Sequence, residues 1–211
     1  KSTIGYIQAD LGTKQGCQDL VNRCYDISPT IDMIFNNAGI ATIGEFIDIP
    51  NDKWEAQIDV NLIAPMRLVK LFLPKMLEAK SGHIVNISSV GGFIALPKNA
   101  TYAATKFGLR GFGTSLHGEL APHNINVSNV YPSFTETPIL NSDRYGYDKT
   151  KELPSFLIDQ PKNIIKKSLR GISKKELHIF PSSKAKTFAT LSRLFPSAMS
   201  QVSNQLLKFA D

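Results

Sequence analysis

Tyr102 and Lys106 are four residues apart, which on a helix puts both side chains on one face. A free tyrosine hydroxyl has a pKa of about 10 and exchanges protons poorly at neutral pH. An ammonium held beside it favours the phenolate and lowers that pKa, so the pair reads as a general acid–base. Alone, Tyr-x-x-x-Lys is an ordinary solvated helix pair. Ser89 changes that reading, because it lies thirteen residues before Tyr102 and is joined to it through Gly91-Gly92. Its hydroxyl can donate to a substrate oxygen while Tyr102 exchanges the proton. Ser88 is its rival, and strand alternation points the two to opposite faces.

Two further features precede these. Asn36-Asn37-Ala38-Gly39 reads as a tight turn whose small side chains let a flat ring or a ribose approach the backbone closely. Asn61 sits within Val60-Asn61-Leu62 on an otherwise apolar helix. A buried amide there needs partners.

The elements that must hold these groups follow from periodicity. Ile4–Leu11 reads as a strand, 14–27 as a helix and Ile31–Asn36 as a second strand. A long helix runs from Pro50 to about Lys80, with Trp54, Ile58, Leu62, Met66, Val69, Leu73 and Leu77 on its apolar stripe. His83–Ser89 is a third strand, Tyr102–Leu120 a helix and Asn124–Tyr131 a fourth strand. Residues 132–160 form a long excursion read as a substrate lid, 161–172 a helix, Glu176–Pro181 a last strand, and 183–211 a C-terminal helical segment interrupted at Pro196. Strand–helix alternation predicts an α/β fold, a doubly wound parallel sheet in one Rossmann-like domain spanning 1–211. Ligands then bind beyond the carboxyl ends of the strands, where all four features fall.

Composition narrows the function classes. The 211 residues are 42% hydrophobic and 20% charged, with no apolar run near the roughly 18 residues that span a bilayer. The first residues carry no signal-peptide core, and a cytoplasmic protein is expected. Cys17 and Cys24 lie two helical turns apart, about 10 Å, too far for a disulfide. Four scattered histidines give no metal site. The net charge of +6 arises wholly after residue 130, without a basic stripe interleaved with aromatics, so nucleic acid is not the expected partner.

Taken together, Asn36-Asn37-Ala38-Gly39, Asn61, Ser89, Tyr102 and Lys106 resemble the short-chain dehydrogenase/reductase family, over about residues 4–140 and more loosely to Pro181. The resemblance implies NADP or NAD as cofactor, with NADP slightly preferred, and hydride exchange with a carbonyl or alcohol. It implies that Tyr102 moves the proton, Ser89 holds the substrate oxygen, Lys106 binds the nicotinamide ribose and depresses the tyrosine pKa, and Asn61 holds a water in a proton relay. It implies further cofactor contacts from Asp10, Leu11, Asn37, Ala38, Gly39, Pro132, Ser133, Thr135 and Thr137. Two departures stand out. The Gly-rich phosphate turn and the strand after it are not among these residues; they are expected upstream of Lys1, the other reading being that cofactor is not bound in the normal way. Ser133 also stands where the family has Gly.

Phe93, Ile94, Leu96 and Phe134 are candidate substrate contacts, and with Ile139, Leu140, Phe156 and Leu157 they suggest an apolar carbonyl or alcohol of lipid, steroid or retinoid type. The C-terminal segment, with Phe188, Leu191, Leu194, Met199, Val202, Leu206 and Phe209, packs on its own body or a second subunit; weak contact with an anionic membrane surface is the other reading. The resemblance implies a homodimer or homotetramer. A sugar-nucleotide epimerase or dehydratase shares the tyrosine–lysine pair, and a non-catalytic binding protein that has lost its cofactor site is the alternative from another class.

Overall fold

Four parallel strands form the centre of the computed structural model, which describes residues 5–146 and 154–199. β1 (Met33–Asn36), β3 (Gly82–Ile87), β4 (Ile125–Val130) and β6 (His178–Ile179) lie side by side in that order. Parallel neighbours need crossover connections, and each one here carries a helix. α2 (Asn51–Ile58) and α3 (Ala64–Ala79) join β1 to β3, α4 (Ala100–Leu120) joins β3 to β4, and α5 (Pro161–Ser173) joins β4 to β6.

Side-chain alternation divides the sheet into two faces. Ile34, Ile84 and Val127 are in register and pack with α1 (Lys14–Ile27), α3 and α4. Val85, Val130 and Ile179 face the other way, against Ile172 of α5. Helices on both faces make this the doubly wound sheet expected from the sequence. At β1 the second face is open, and Phe35 is 49% exposed.

A row of amides crosses the first face. Asn36, Asn86 and Asn129 are in register on β1, β3 and β4. Asn36 Nδ2 donates to Asn86 Oδ1 at 2.8 Å, and Asn86 Nδ2 donates to Asn129 Oδ1 at 3.0 Å. Within the row each amide oxygen so engaged is met by its neighbour's N–H, while Asn129 Nδ2 at its end has no hydrogen-bond partner among the described residues. Gly113 of α4 lies on this ladder. A Cβ there would collide with Asn129 Oδ1 and stand 2.6 Å from Asn86 Nδ2. Gly113→Ala is therefore expected to destabilise by about 2 kcal/mol, because overpacking outweighs the gain in helix propensity. Gly118→Ala, on the same helix with no atom within 4 Å of the new methyl, is expected to be neutral or to stabilise by up to about 1 kcal/mol. Urea unfolding of both variants tests the contrast, and equal effects would remove the ladder from the explanation.

The long helix is not uniform. Between α2 and α3 the chain makes one π turn, Asp59–Ile63, where Ala64 N–H reaches back five residues to Asp59 O. Pro65, four residues after Asn61, has no N–H to give the Asn61 carbonyl in the regular pattern, which favours the wider turn. α1 starts at Thr13, whose hydroxyl accepts from Gly16 N–H at 3.0 Å. Both cysteines are free, and Cys17 is buried.

Some expected elements differ. Gly5–Asp10, read as part of a strand, carries no ladder hydrogen bonds among the described residues; a strand needs a neighbour, and periodicity cannot supply one. Residues 1–4 of that stretch lie outside the described residues. The third strand ends at Ile87, so Ser88 and Ser89 stand beyond it. The excursion contains β5 (Arg144–Tyr145), which pairs in parallel with β2 (Ile43–Gly44) and docks the excursion on the loop after β1. α6 (Ser183–Leu194) buries Ala185 and Ala189 and ends before Pro196, as expected. Val202, Leu206 and Phe209 lie outside the described residues. No helix among the described residues is long and apolar enough to cross a membrane, and none of their His, Cys, Asp and Glu clusters suits a metal.

Candidate active site

α4 begins just after the carboxyl end of β3, so its first turns carry Tyr102 and Lys106 to the ligand-binding edge of the sheet. Lys106 is buried, and its Nζ donates to Ile87 O at 3.0 Å. It lies 5.5 Å from the centroid of the Tyr102 ring. Burial lowers the Lys106 pKa to about 8. Tyr102 behaves differently from the expectation. Burial raises its pKa, and a hydrogen bond with the Ser89 side chain only partly offsets that. Desolvation of the phenol outweighs the hydrogen bond.

The two serines separate, although both stand beyond the end of β3. Ser88 is buried and donates to Lys106 O at 3.0 Å, which fixes α4 against the end of β3. Ser89 heads the short turn Val90–Gly92, and its oxygen accepts from Gly91 N–H at 3.0 Å. That bond uses the Ser89 oxygen as acceptor and leaves its proton to donate. Gly91 stands between the two hydroxyl-bearing residues. A Cβ there would be 3.2 Å from the Tyr102 ring and 3.4 Å from Ser89 Oγ. The glycine permits the close approach of serine and tyrosine.

Asn61, in the π turn, is buried and clamps the loop after β1. Its Oδ1 accepts from Ile40 N–H and its Nδ2 donates to Ile40 O, both at 2.8 Å. Nδ2 also reaches Thr105 Oγ1 at 3.4 Å. The amide is thus engaged by protein partners on both its oxygen and its nitrogen. Asn36 belongs to the sheet ladder, so the turn proper is Asn37-Ala38-Gly39, with Asn37 and Ala38 exposed.

These residues fit a nicotinamide cofactor. The missing side chain of Gly39 leaves space beside Lys106; a Cβ there would be 3.8 Å from Nζ. An ammonium has three donors, and one bond, to Ile87, is recorded. Leu11, Asn37, Ala38 and Val60 line a crevice at the same edge. Arg67 Nη1 donates to Gly12 O at 3.4 Å and Asp10 accepts from Gly12 N–H at 3.0 Å, so the Asp10–Gly12 turn is held at the rim.

Other predicted contacts are placed elsewhere. Phe93 is buried, with its ring 4.8 Å from Tyr131 and the Arg110 guanidinium 4.2 Å above it. Phe93 is thus a core residue, and Ile94 packs partly buried against the same cluster. Their burial comes from β6 and α6, which the local pattern does not show. Leu96 and Phe134 are half-buried. Pro132 O accepts from Val90 N–H at 2.8 Å, which joins the exit of β4 to the Ser89 segment. Thr135 and Thr137 donate to local carbonyls, Ser133 O at 3.0 Å and Thr135 O at 3.2 Å. Asp159 is a residue that sequence reasoning missed. Partial burial pushes its pKa up, but donors on Ser133, Lys184 and Ser182 hold the carboxyl below its ordinary value.

Comparison with known proteins agrees with this geometry. Residues 1–148 match the short chain dehydrogenase family. An acetoacetyl-CoA reductase of Acinetobacter sp. (strain RA3849) is 34% identical over 151 residues, 72% of this chain and 61% of that protein. A short-chain dehydrogenase from Sphingobium yanoikuyae in complex with NADPH shares the fold with a TM-score of 0.76 at 29% identity, over 92% of this chain and 74% of that one. A 4-hydroxyisoleucine dehydrogenase complexed with NADH gives a TM-score of 0.67 at 26% identity, over 82% and 77%. With Ser89, Tyr102 and Lys106 gathered at the carboxyl edge of a parallel sheet and the family match covering most of its length, this chain belongs to the short-chain dehydrogenases, a family of NAD(P)-dependent oxidoreductases.

Proposed function

We propose that this protein interconverts a carbonyl and a secondary alcohol, with Tyr102 moving the proton and Ser89 holding the substrate oxygen. The observation that carries the reading is the placement of both residues around Gly91, with Lys106 behind them. The nicotinamide cofactor supplies or accepts the hydride. Ser89 donates to the substrate oxygen, since Gly91 N–H already occupies its acceptor side. Tyr102 gives its proton to that oxygen in reduction. Burial keeps the phenol protonated, which suits a proton donor. Lys106 is mostly an ammonium at neutral pH and binds cofactor hydroxyls with the donors that Ile87 leaves over.

Half-buried Leu96, Phe134, Ile139, Leu140 and Leu157 support an apolar substrate. A homo-oligomer built on the long helices accords with Met66 and Phe107, 40% and 37% exposed on α3 and α4. No feature of the site favours a non-catalytic role. NADPH, then NADH, is titrated into protein expressed from its whole reading frame, with nicotinamide fluorescence as the signal. Saturable binding of at least one is expected. A folded sample that binds neither overturns the proposal.

A further inference from the structure

One polar cluster is left unused by this chemistry, and it joins three stretches of chain that are remote in sequence. Ser133, one residue past Pro132 at the exit of β4, donates to the Asp159 carboxylate and lies 3.1 Å from the Ser182 hydroxyl. Ser182 Oγ caps α6 by accepting from Ala185 N–H at 3.2 Å. Lys184, in the first turn of α6, donates to Asp159 Oδ1 at 3.1 Å and to Phe156 O at 2.6 Å. The backbone joins in. Asp159 N–H donates to Phe134 O at 2.7 Å, and Glu136 N–H donates to Asp159 O at 3.0 Å. Gln160 Nε2 donates to the Glu136 carboxylate at 2.6 Å.

Asp159 is central to this arrangement. Its side chain is 19% exposed, and it meets both the start and the end of the excursion as well as α6. Charge-assisted hydrogen bonds of this kind are stronger than neutral ones and hold direction. The stretch they hold runs directly on from Pro132, whose carbonyl is bonded to Val90, the neighbour of Ser89. The cluster therefore borders the reacting edge without reaching it.

We propose that Asp159 is a positioning residue for substrate: with Ser133, Ser182 and Lys184 it clasps the excursion and sets the backbone of Phe134–Glu136 beside the Ser89 segment. This rests on the carbonyl–alcohol reading for its catalytic consequence. A neutral amide in place of the carboxylate keeps the shape but weakens the bonds from Ser133 and Lys184. The wall next to the reacting edge then loosens, and the substrate is held less tightly while the reacting groups stay in place.

The test uses Asp159→Asn, Ser133→Ala and the double variant, in protein expressed from the whole reading frame. Amide hydrogen exchange is read on cofactor-free protein, and reduction of acetophenone, an apolar ketone probe, is followed with NADPH or NADH. Exchange at the Glu136 and residue-159 amides is expected to speed up about tenfold or more in Asp159→Asn, with β3 and β4 unchanged. KM for the ketone is expected to rise roughly tenfold with kcat within about twofold, and the two substitutions should be less than additive. Unchanged exchange at both amides overturns the proposal. So does faster exchange throughout the sheet, which would mark a purely structural role, or faster local exchange with unaltered KM. If the unsubstituted protein binds no cofactor and reduces no ketone, the functional reading falls, and the exchange pattern alone decides whether the clasp exists.

Discussion

Turnover is expected to fall by roughly a thousandfold when Tyr102 becomes Phe, with the fold intact. The substitution removes one hydroxyl and keeps the ring. The ring is half-buried beside Gly91, and the hydroxyl's recorded side-chain partner is Ser89. Loss of a single hydrogen bond between neutral groups changes stability by about 1 kcal/mol, too little to unfold the chain. The proton donor, in contrast, has no substitute. Ser88 points away and is bonded to Lys106 O, and Thr105 Oγ1 is committed to Tyr102 O at 2.8 Å. Residual activity should reflect hydride transfer without general acid help. Measured kcat for ketone reduction, alongside a thermal melt, checks the prediction. A variant that retains turnover within about tenfold would remove Tyr102 as the proton donor.

Lys106→Met should separate activity from stability. The lysine is 5% exposed, and its pKa is lowered from 10.5 to about 8 by burial. That depression corresponds to about 3 kcal/mol of unfavourable burial of the charge at neutral pH. The unfolded chain keeps this proton to about pH 10.5 and the folded chain releases it near 8. Between those values the unfolded state binds more protons, so this group makes the fold more stable as pH rises through the window. Below about pH 8 the full cost is present. Methionine carries no charge, so it removes the cost and the pH dependence together, at the loss of the bond to Ile87 O. The variant should match or exceed the parent in stability at neutral pH by up to about 2 kcal/mol, and lack its rise towards pH 10. Its turnover should fall at least a hundredfold, because the ribose-binding donors and the charge near Tyr102 are gone. Urea unfolding of both proteins at about pH 7 and about pH 9.5 reads the first part. Parallel pH dependence in the two would show that Lys106 is not the titrating group.

The reacting groups were legible because their relations are local. Tyr102 and Lys106 share a helix face at a spacing of four, and Ser89 stood out by its distance of thirteen residues from Tyr102. The parallel sheet with helices on both faces followed from the regular exchange of strand and helix, whereas its strand order did not. What escaped depends on partners far along the chain. Asn61 was recognised as unusual, but its partner is Ile40, twenty-one residues away, and no spacing rule points there. Phe93 was placed by its nearness to Ser89, whereas Tyr131 and Phe180 draw it into the core. Asp159 meets Ser133 and Lys184 across 26 and 25 residues, inside an excursion with little periodicity to read. The rise of the Tyr102 pKa by burial was not legible either. Proximity was visible in the sequence, but the degree of desolvation was not. One signal was available and unused, since Pro65 marks the place where the long helix widens.

The π turn at Asp59–Ile63 bears on which changes of length the protein can tolerate. Each residue of an α-helix advances the chain by about 100° around the axis. A wide turn stores one residue beyond the regular count, so deleting a single residue there offers the helix a return to regular winding. The wide turn already absorbs the extra residue, so the helices on either side keep their facing after that deletion. What is lost is the local geometry that carries Asn61 to Ile40. A one-residue deletion in the regular part of α3, in contrast, turns its buried face by about 100° and should be far more damaging. The long helix therefore tolerates a change of length at its wide turn better than elsewhere along it.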